Sequence, residues 1–143
     1  MIKLSKLSDY AVVVLSRLAA EQGTLMATTQ LSYDTGVPEP TVSKVLKLLA
    51  KQNIVTSIRG AKGGYTMERA PSSIPVSELI VALEGPIALT ECVHPTEVSC
   101  CSIEHSCPMR GGWHKVNVAV QNALDTVSLA DLLIPLPPSR RAS

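Results

Sequence analysis

The sequence predicts a mainly α-helical fold: a winged helix-turn-helix domain with a small two-stranded wing, followed by a long C-terminal dimerisation helix. Three observations predict it. Two helical patterns flank a glycine turn within residues 27–52, and a glycine-rich hairpin with two cations follows within residues 54–67. Apolar residues then recur at steps of three and four between residues 113 and 127. The first pattern is typical of a helix-turn-helix and the last of a helix that pairs with another helix.

Composition and charge narrow the class of partner. The 143 residues suffice for one compact domain with an appended element, and the apolar fraction of 45% is ordinary for a globular protein. Residues 1–70 hold nine Lys or Arg and five Asp or Glu (+4), while residues 71–143 hold four and seven (−3), which together give +1. A basic first half suits double-stranded DNA. The aromatic content of 3% argues against binding single strands by base stacking.

The amino-terminal residues bear on cellular location. Residues 1–6 have no secretory signal pattern, and the apolar run at residues 11–15 is too short to span a bilayer. We therefore expect a cytoplasmic protein with no membrane partner. Cysteines clustered in a cytoplasmic protein are better interpreted as metal or redox ligands than as a disulfide framework.

Two helices are predicted before the turn. Ser8 is the expected N-cap of the first helix, which continues with apolar residues at helical spacing and ends near Gly23. A short second helix begins at residues 27–31, where Thr28 or Thr29 can serve as the cap. Gly36 ends it, because glycine adopts a positive φ at low cost.

The third helix is predicted from about residue 39 to residue 52. Its apolar residues form a single stripe: Val42, Val45, Leu46 and Leu49. Its opposite face is polar and basic, and we expect that face to contact DNA together with Thr29 of the second helix. The expected contact residues of the third helix are Thr41, Ser43, Lys44 and Lys47. A basic face on a lone helix is usually only solvated, but the preceding helix and glycine turn favour the DNA-binding interpretation.

Residues 54–58 and 65–67 predict two short strands, since they are rich in β-branched and aromatic side chains. The segment between them is rich in glycine and carries two cations. A phosphate-cradling nucleotide loop is excluded, because no helix follows the glycines directly. We expect a wing that contacts DNA through Arg59, Lys62, Gly63 and Tyr65.

The second half of the chain supplies the remaining elements. Residues 75–84 predict a fourth helix that Gly85 ends, and residues 109–126 predict a longer one. The longer helix carries a narrow apolar seam, typical of pairing with a partner helix: Trp113, Val116, Val120, Ala123 and Val127. A short helix at residues 128–133 follows. We divide the chain into a DNA-binding domain at 1–85, a cysteine-rich loop at 86–108, dimerisation and terminal helices at 109–134, and a disordered tail at 135–143.

All four cysteines lie in the loop: Cys92, Cys100, Cys101 and Cys107. None forms the Cys-x-x-Cys pair that structural zinc sites usually use, so zinc is the alternative rather than the first choice. Adjacent side chains tend to diverge, so we expect one of Cys100 and Cys101 to join the other two cysteines around an iron–sulfur cluster. Thiols without metal are a further alternative. No residue arrangement indicates catalysis, so we expect neither an enzyme nor a small-molecule substrate.

Taken together, the sequence resembles the winged-helix family of bacterial iron–sulfur regulators. That family includes the regulators of the Isc and Suf cluster-assembly operons and the nitric-oxide-sensing repressor. The resemblance covers roughly residues 1–134. Its most specific segments are residues 3–11, 58–65, 71–74 and 128–132, together with three of the cysteines. Regulators of the Suf type match most closely, through the loop and residues 107–113.

The resemblance implies that Cys92, Cys101 and Cys107 ligate a cluster, with [2Fe–2S] favoured over [4Fe–4S] and Cys100 as the alternative to Cys101. It implies Asp9 of the partner subunit as a candidate fourth ligand. It also implies a homodimeric repressor of a cluster-assembly operon that binds a pseudo-palindromic DNA operator. The alternatives are a nitric-oxide sensor of the same family, a zinc-stabilised or thiol-redox winged-helix regulator without a cluster, and an adaptor that binds protein.

Overall fold

The structure, a computed structural model, describes residues 3–93 and 101–133. In these residues six α-helices and one two-stranded sheet occur in the predicted order, which confirms the mainly helical winged helix-turn-helix fold. The elements are α1 (Lys6–Ala20), α2 (Thr28–Thr35), α3 (Glu39–Lys51), β1 (Thr56–Ile58), β2 (Gly64–Thr66), α4 (Val76–Glu84), α5 (Gly112–Asp125) and α6 (Leu129–Leu132). Among the described helices, none is both long and apolar enough to cross a membrane. The tail predicted at 135–143 lies outside the described residues.

The hydrophobic core lies where α1, α2 and α3 meet, and α4 and α6 add side chains to it. The apolar stripe predicted for α3 is fully buried: Val42, Val45, Leu46 and Leu49. Leu15 and Leu18 of α1 and Leu31 of α2 are also fully buried. Burial of each such side chain contributes roughly 1.5–3 kcal/mol. Because one face of α3 is committed to this core, its opposite face points to solvent.

The first helix begins one turn earlier than predicted, so the expected Ser8 cap is wrong. Ser5 is the N-cap: its backbone is extended, and its hydroxyl accepts a hydrogen bond from the Ser8 backbone N–H at 3.4 Å. Ser8 lies buried inside the first turn. The Ser5 backbone N–H donates to Glu84 Oε1 at 2.6 Å, which ties the start of α1 to the end of α4. A contact across 79 positions therefore accompanies the earlier start.

The second helix has no side-chain cap, so the expectation for Thr28 or Thr29 is also wrong. Ala27 occupies the N-cap position, and no side chain there bonds the helix end. The helix is held instead by its packing, since Leu31 is fully buried against its neighbours. Gly36 ends α2 as predicted, with a φ of 77°.

The two strands are antiparallel, with Thr56 opposite Thr66 and Ile58 opposite Gly64. The first is two residues shorter than predicted, and the second has the predicted length but begins one residue earlier. Ile54 is buried in the core ahead of β1, and so is its neighbour Val55. These two side chains belong to the helical core rather than to the sheet. The apolar run predicted as one strand therefore consists of two core residues, Ile54 and Val55, followed by the short strand β1.

Helix α5 begins at Gly112, three residues later than predicted, after Gly111 adopts a φ of 79°. Its far end is fastened to α4 in two places. The hydroxyl of Ser77 donates to the carboxylate of Asp125, and the Val76 backbone N–H donates to the Val127 carbonyl at 2.8 Å. Helix α4 therefore lies between the α1–α3 core and α5.

We expect Glu84 to make stability depend on pH. Hydrogen bonds from the side chain and backbone of Ser5 favour the charged carboxylate and lower the pKa of Glu84. A lowered pKa stabilises the fold above the pKa of an unfolded glutamate, and this stabilisation is lost as pH falls through the lowered value. Glu84→Gln should therefore melt below the wild type at neutral pH, and the difference should disappear in acid. Thermal melting across pH tests this.

The exposed Glu68 supplies the control for that experiment. Glu68→Gln should shift the melting temperature little at any pH. A gap between wild type and Glu84→Gln that stays constant from neutral to acid pH would contradict the assignment.

Candidate nucleic-acid interface and cysteine segment

The outer face of α3 carries the residues that the sequence predicted to contact DNA. Lys44 and Lys47 are exposed, while Thr41 and Ser43 are partly exposed. Burial of the apolar stripe brings all four to the solvent side of one helix. Ammonium groups and hydroxyls are suited to phosphate oxygens and base edges. The DNA contacts themselves stay a prediction.

The turn between α2 and α3 is fixed by side-chain hydrogen bonds. The Ser32 hydroxyl donates to the Val37 carbonyl at 2.7 Å, and the Val37 backbone N–H donates to Thr35 Oγ1 at 3.3 Å. Val37 itself is buried. Backbone groups in a turn need such partners when they leave water. The turn therefore holds α3 at a defined angle to α2.

Arg17 of α1 holds the outer side of α2. Its Nε lies 2.8 Å from Asp34 Oδ2, and its Nη2 lies 3.1 Å from Glu21 Oε1. These hydrogen bonds, first the one to Asp34, raise the pKa of the Arg17 guanidinium. Gln30 Nε2 donates to the other Asp34 oxygen at 2.7 Å. Thr29, the predicted DNA contact on α2, lies exposed on the helix that this network orients.

The wing presents its two cations at its tip. Arg59 and Lys62 lie exposed between β1 and β2. Gly63 closes the tip, because its backbone N–H donates to the Gly60 carbonyl at 2.9 Å. A Cβ on Gly63 would lie 2.3 Å from the Ile58 carbonyl oxygen, so the turn requires glycine there.

Tyr65 joins the wing to the helical domain. Its backbone N–H and carbonyl pair with those of Met26 at 2.8 and 2.9 Å, and its side chain is half-buried against the core. Gly64 packs directly on the Met26 backbone, where a Cβ would lie 2.4 Å from the carbonyl oxygen. Gly63 and Tyr65 thus have structural roles in the wing. Whether they also contact DNA stays a prediction.

The cysteine segment lies between α4 and α5. Cys92 is exposed in a 3₁₀ turn at Glu91–Val93, and Cys107 is partly exposed shortly before α5. Cys101 is also partly exposed. A second 3₁₀ turn spans Glu104–Ser106, so the predicted cysteine-rich loop contains two short turns in its described residues. Cys100 lies outside the described residues.

The donors fit an iron–sulfur cluster by chemistry but are not assembled around one centre. Three thiols on one segment supply the thiolates that such clusters require. Within the described ranges, no three His, Cys, Asp or Glu side chains stand close enough to hold one ion. Asp9 lies exposed in the first turn of α1. The ligand set of Cys92, Cys101, Cys107 and Asp9 therefore stays a prediction.

Asn117 of α5 holds the segment that leads to Cys92, a role that was not predicted from the sequence. It is the buried residue of its helix. Its amide nitrogen donates to the Ile87 carbonyl and its amide oxygen accepts from the Leu89 backbone N–H, both at 2.9 Å. One side chain thus satisfies two backbone groups and fixes the chain just before the cysteines. The available signal was a polar residue spaced four positions after Trp113 and three before Val120, on the seam side of the helix.

The apolar seam of α5 is divided in the structure. Trp113 and Val116 are each 44% exposed, and Val127 is 37% exposed. Val120 is half-buried, on the side of the helix that also carries Asn117. One edge of the seam therefore serves the protein's own fold, and the other edge is left in solvent.

A groove of about 610 Å³ lies between the start of α1, α4 and α6. Its lining is mainly apolar and includes Val12, Val76, Leu79, Ile80, Leu83 and Leu132. Asp9 also lines it, with Lys3 and Lys6. The candidate fourth ligand therefore stands beside an open apolar surface.

Comparison with known proteins gives consistent matches. The family described as Rrf2, iron-dependent transcriptional regulator, matches residues 4–134. An rrf2-like HTH-type transcriptional regulator of Rhodobacter capsulatus is 30% identical over 131 residues, 87% of each chain. The structure of CymR, the global cysteine regulator of B. subtilis, is 28% identical with a TM-score of 0.67, covering 93% of this chain and 97% of that one. IscR of T. potens is 26% identical with a TM-score of 0.65, covering 99% and 93%.

We expect Asn117→Ala to release the segment before Cys92. The Ile87 carbonyl and Leu89 N–H would lose their partner, which should lower the free energy of unfolding by about 1–3 kcal/mol. The Leu89 amide should exchange faster with solvent deuterium. Asn122→Ala, an exposed change on the same helix, should alter stability by less than about 0.5 kcal/mol. Unchanged exchange at Leu89 in Asn117→Ala would refute this role.

The predicted DNA footprint gives a definite salt dependence. With three or four phosphate contacts from each subunit of a dimer, the slope of log K against log salt should be about −5 to −7. Replacing Arg59 and Lys62 by glutamine should reduce it to about −2 to −4, since four contacts per dimer are lost. Lys115→Gln removes an exposed charge on α5 and should leave the slope unchanged. A wild-type slope near −2 would rule out the footprint.

Proposed function

The chain belongs to the Rrf2 family of transcriptional regulators, and from this premise we propose that it is an iron–sulfur-cluster-sensing repressor of a cluster-assembly operon. Members of this family are regulators and not enzymes. The observation that carries the proposal is the position of three thiol-bearing cysteines between α4, which packs on the DNA-binding helices, and α5. We place the protein in the cytoplasm, where it would meet its operator.

In the proposed sensor, Cys92, Cys101 and Cys107 hold the cluster, and Cys100 is the alternative to Cys101. A [2Fe–2S] centre is favoured over [4Fe–4S]. The bound group would supply sensitivity to iron, oxygen or nitric oxide at this segment. The protein would hold the three cysteine side chains around the cluster. They would therefore have to move closer together than they are in the described residues.

We infer a homodimer from two complementary surfaces. The exposed edge of the α5 seam carries Trp113 and Val116, side chains of a kind that mark interfaces when exposed together. The groove beside Asp9 offers a second apolar surface. If Asp9 completes the ligand set of the partner, this groove faces the partner's cysteine segment. Ile103 and Met109, both more than half exposed, would then enter it.

The cysteine segment and the helices proposed to bind DNA are connected through packed residues of the chain. The cysteine segment leaves α4 at Gly85 and is fastened to α5 by Asn117. Helix α4 packs on both α1 and α3, and so on the helix that carries Lys44 and Lys47. Closing the cysteine segment around a ligand would therefore pull on α4 and change the spacing of the two DNA-binding helices in a dimer. This gives two sites and one shared element, as allosteric coupling requires.

A thiol-redox regulator without a cluster is the second candidate. It is supported by the similarity to the global cysteine regulator of B. subtilis, and by thiols that are not gathered around one centre in the described residues. A zinc-stabilised regulator is a third, weaker candidate, because the segment has no Cys-x-x-Cys pair. A nitric-oxide sensor would use the same cluster site with a different signal.

We expect the cysteines to differ in their effect on cluster content. Protein purified without oxygen should absorb between roughly 320 and 450 nm with matching iron and acid-labile sulfide, as an iron–sulfur protein does. Cys92→Ala, Cys101→Ala and Cys107→Ala should each lose that absorbance. Cys100→Ala is the matched control and should retain it. Retention in all three variants would refute the ligand set, and a colourless protein with stoichiometric zinc would favour the zinc regulator.

The dimer is tested by placing a charge on the seam. Val116→Glu would bury a carboxylate against the partner helix and should shift the protein toward monomer in sedimentation velocity. Val118→Glu introduces the same charge at a position that is 41% exposed but outside the seam, and it should leave the dimer intact. A monomeric wild type, or equal effects of the two variants, would contradict this interface.

A further inference from the structure

Backbone hydrogen bonds join β2 and the residue after it to the body of the protein, between Tyr65 and Met26 and from the Gly23 N–H to the Met67 carbonyl at 3.0 Å. Two side-chain contacts just after β2 add to them. On the α1 side, Gln22 Nε2 donates to the Glu68 carbonyl at 3.1 Å, just after β2. On the α4 side, Arg69 reaches Glu78 in the first turn of α4. The residues that leave β2 are therefore held between two elements of the helical domain.

The contact between Arg69 and Glu78 has a fixed geometry. Arg69 Nη1 lies 2.6 Å from Glu78 Oε1, and Arg69 Nη2 lies 3.0 Å from Glu78 Oε2. Nη2 also donates to the Ser73 carbonyl at 3.3 Å. A guanidinium held through two parallel bonds has a defined plane, which a lysine ammonium could not reproduce. The other ion pairs among the described residues all involve Arg17.

We propose that Arg69 is a positioning residue for DNA binding, which orients the wing by gripping Glu78 of α4. This rests on the DNA contacts proposed for Arg59 and Lys62. The pair is about one-third exposed on each side, and ion pairs of that exposure add little to stability. Its contribution is geometric.

The lever geometry shows why a small change at this contact matters. Each strand of the wing has three residues, so the tip stands about 10 Å from its base at ~3.3 Å per residue. A rotation of about 10° at the base moves the tip by about 2 Å, given that length. Hydrogen bonds to phosphate are lost over such a displacement. The two tip cations would then miss the DNA backbone while the wing itself stays folded.

The contact between Arg69 and Glu78 also links the wing to α4, the helix that leads to the cysteine segment. Helix α4 has nine residues, a length of about 13 Å at ~1.5 Å per residue. Arg69 grips its first turn, and its last residue, Glu84, bonds Ser5 immediately before Gly85 and the cysteine segment. A tilt of α4 caused at the cysteine end would reach the wing through Arg69.

The sharpest test uses the sign of a charge change. Glu78→Gln removes a negative charge, so a purely electrostatic role predicts tighter binding to DNA. Positioning predicts the opposite, a weakening of at least about fivefold that approaches the effect of Arg59→Gln with Lys62→Gln, because the wing contacts are lost. The probe is a duplex selected from a random-sequence pool by the wild-type protein, measured by fluorescence anisotropy over a range of salt. Glu68→Gln removes an equal charge from an exposed side chain next to Arg69 and should change affinity less than about twofold.

Two further variants separate positioning from a general structural effect. The exchanged pair Arg69→Glu with Glu78→Arg should recover most of the lost affinity. In protein that already carries Arg59→Gln and Lys62→Gln, Glu78→Gln should have no further effect, since the wing no longer contributes. Melting temperatures report on folding, and if Glu78→Gln alone is unstable the exchanged pair decides.

The outcomes distinguish a failure of this proposal from a failure of the proposed DNA contacts of Arg59 and Lys62, on which it rests. If Arg59→Gln with Lys62→Gln binds as tightly as wild type, the wing does not contact DNA and the footprint itself fails. If that variant binds weakly while Glu78→Gln binds as tightly as wild type or tighter, the wing contacts DNA but Arg69 does not position it. If Glu78→Gln weakens binding further in protein that already carries Arg59→Gln and Lys62→Gln, the positioning role is likewise overturned.

Discussion

Burial of the apolar stripe of α3 is the constraint on which the rest of the structure depends. Four side chains spaced for one helical face enter the core between α1 and α2, and none of them retains contact with water. Because the helix is rigid, this fixes the opposite face outward, with Lys44 and Lys47 in solvent. The wing depends on the same core, since Ile54 and Val55 are buried in it just before β1 begins. The surface proposed to bind DNA is therefore the outer side of a well-packed interior.

Helix α4 is the second organising element, because it packs on the DNA-binding core and on α5. Three polar contacts fasten it near its ends: Glu78 to Arg69, Ser77 to Asp125 and Glu84 to Ser5. The Arg69–Glu78 ion pair is about one-third exposed on each side, so it contributes at most about 1 kcal/mol. The three contacts set orientation instead. The proposed cluster site beyond the end of α4 and the helices proposed to bind DNA are therefore connected through this helix.

The sequence was sufficient for the elements that local patterns determine. The stripe of α3, the turn at Gly36 and the hairpin of the wing follow from spacing and from glycine, and all three occur as expected. Errors arose where a distant residue decided. The cap of α1 is Ser5 rather than Ser8, and Glu84 bonds it from the end of α4. Asn117 was missed because its two partners are backbone groups about thirty positions away.

Cluster sensing by the cysteine segment is the central proposal. The most direct measurement is the affinity of anaerobically purified protein for one selected duplex, before and after the iron and sulfide are removed from the same sample. The account predicts that affinity changes by at least about fivefold, the lower end of ordinary allosteric coupling. A protein that contains a cluster but binds the duplex equally well in both forms would contradict the sensing role.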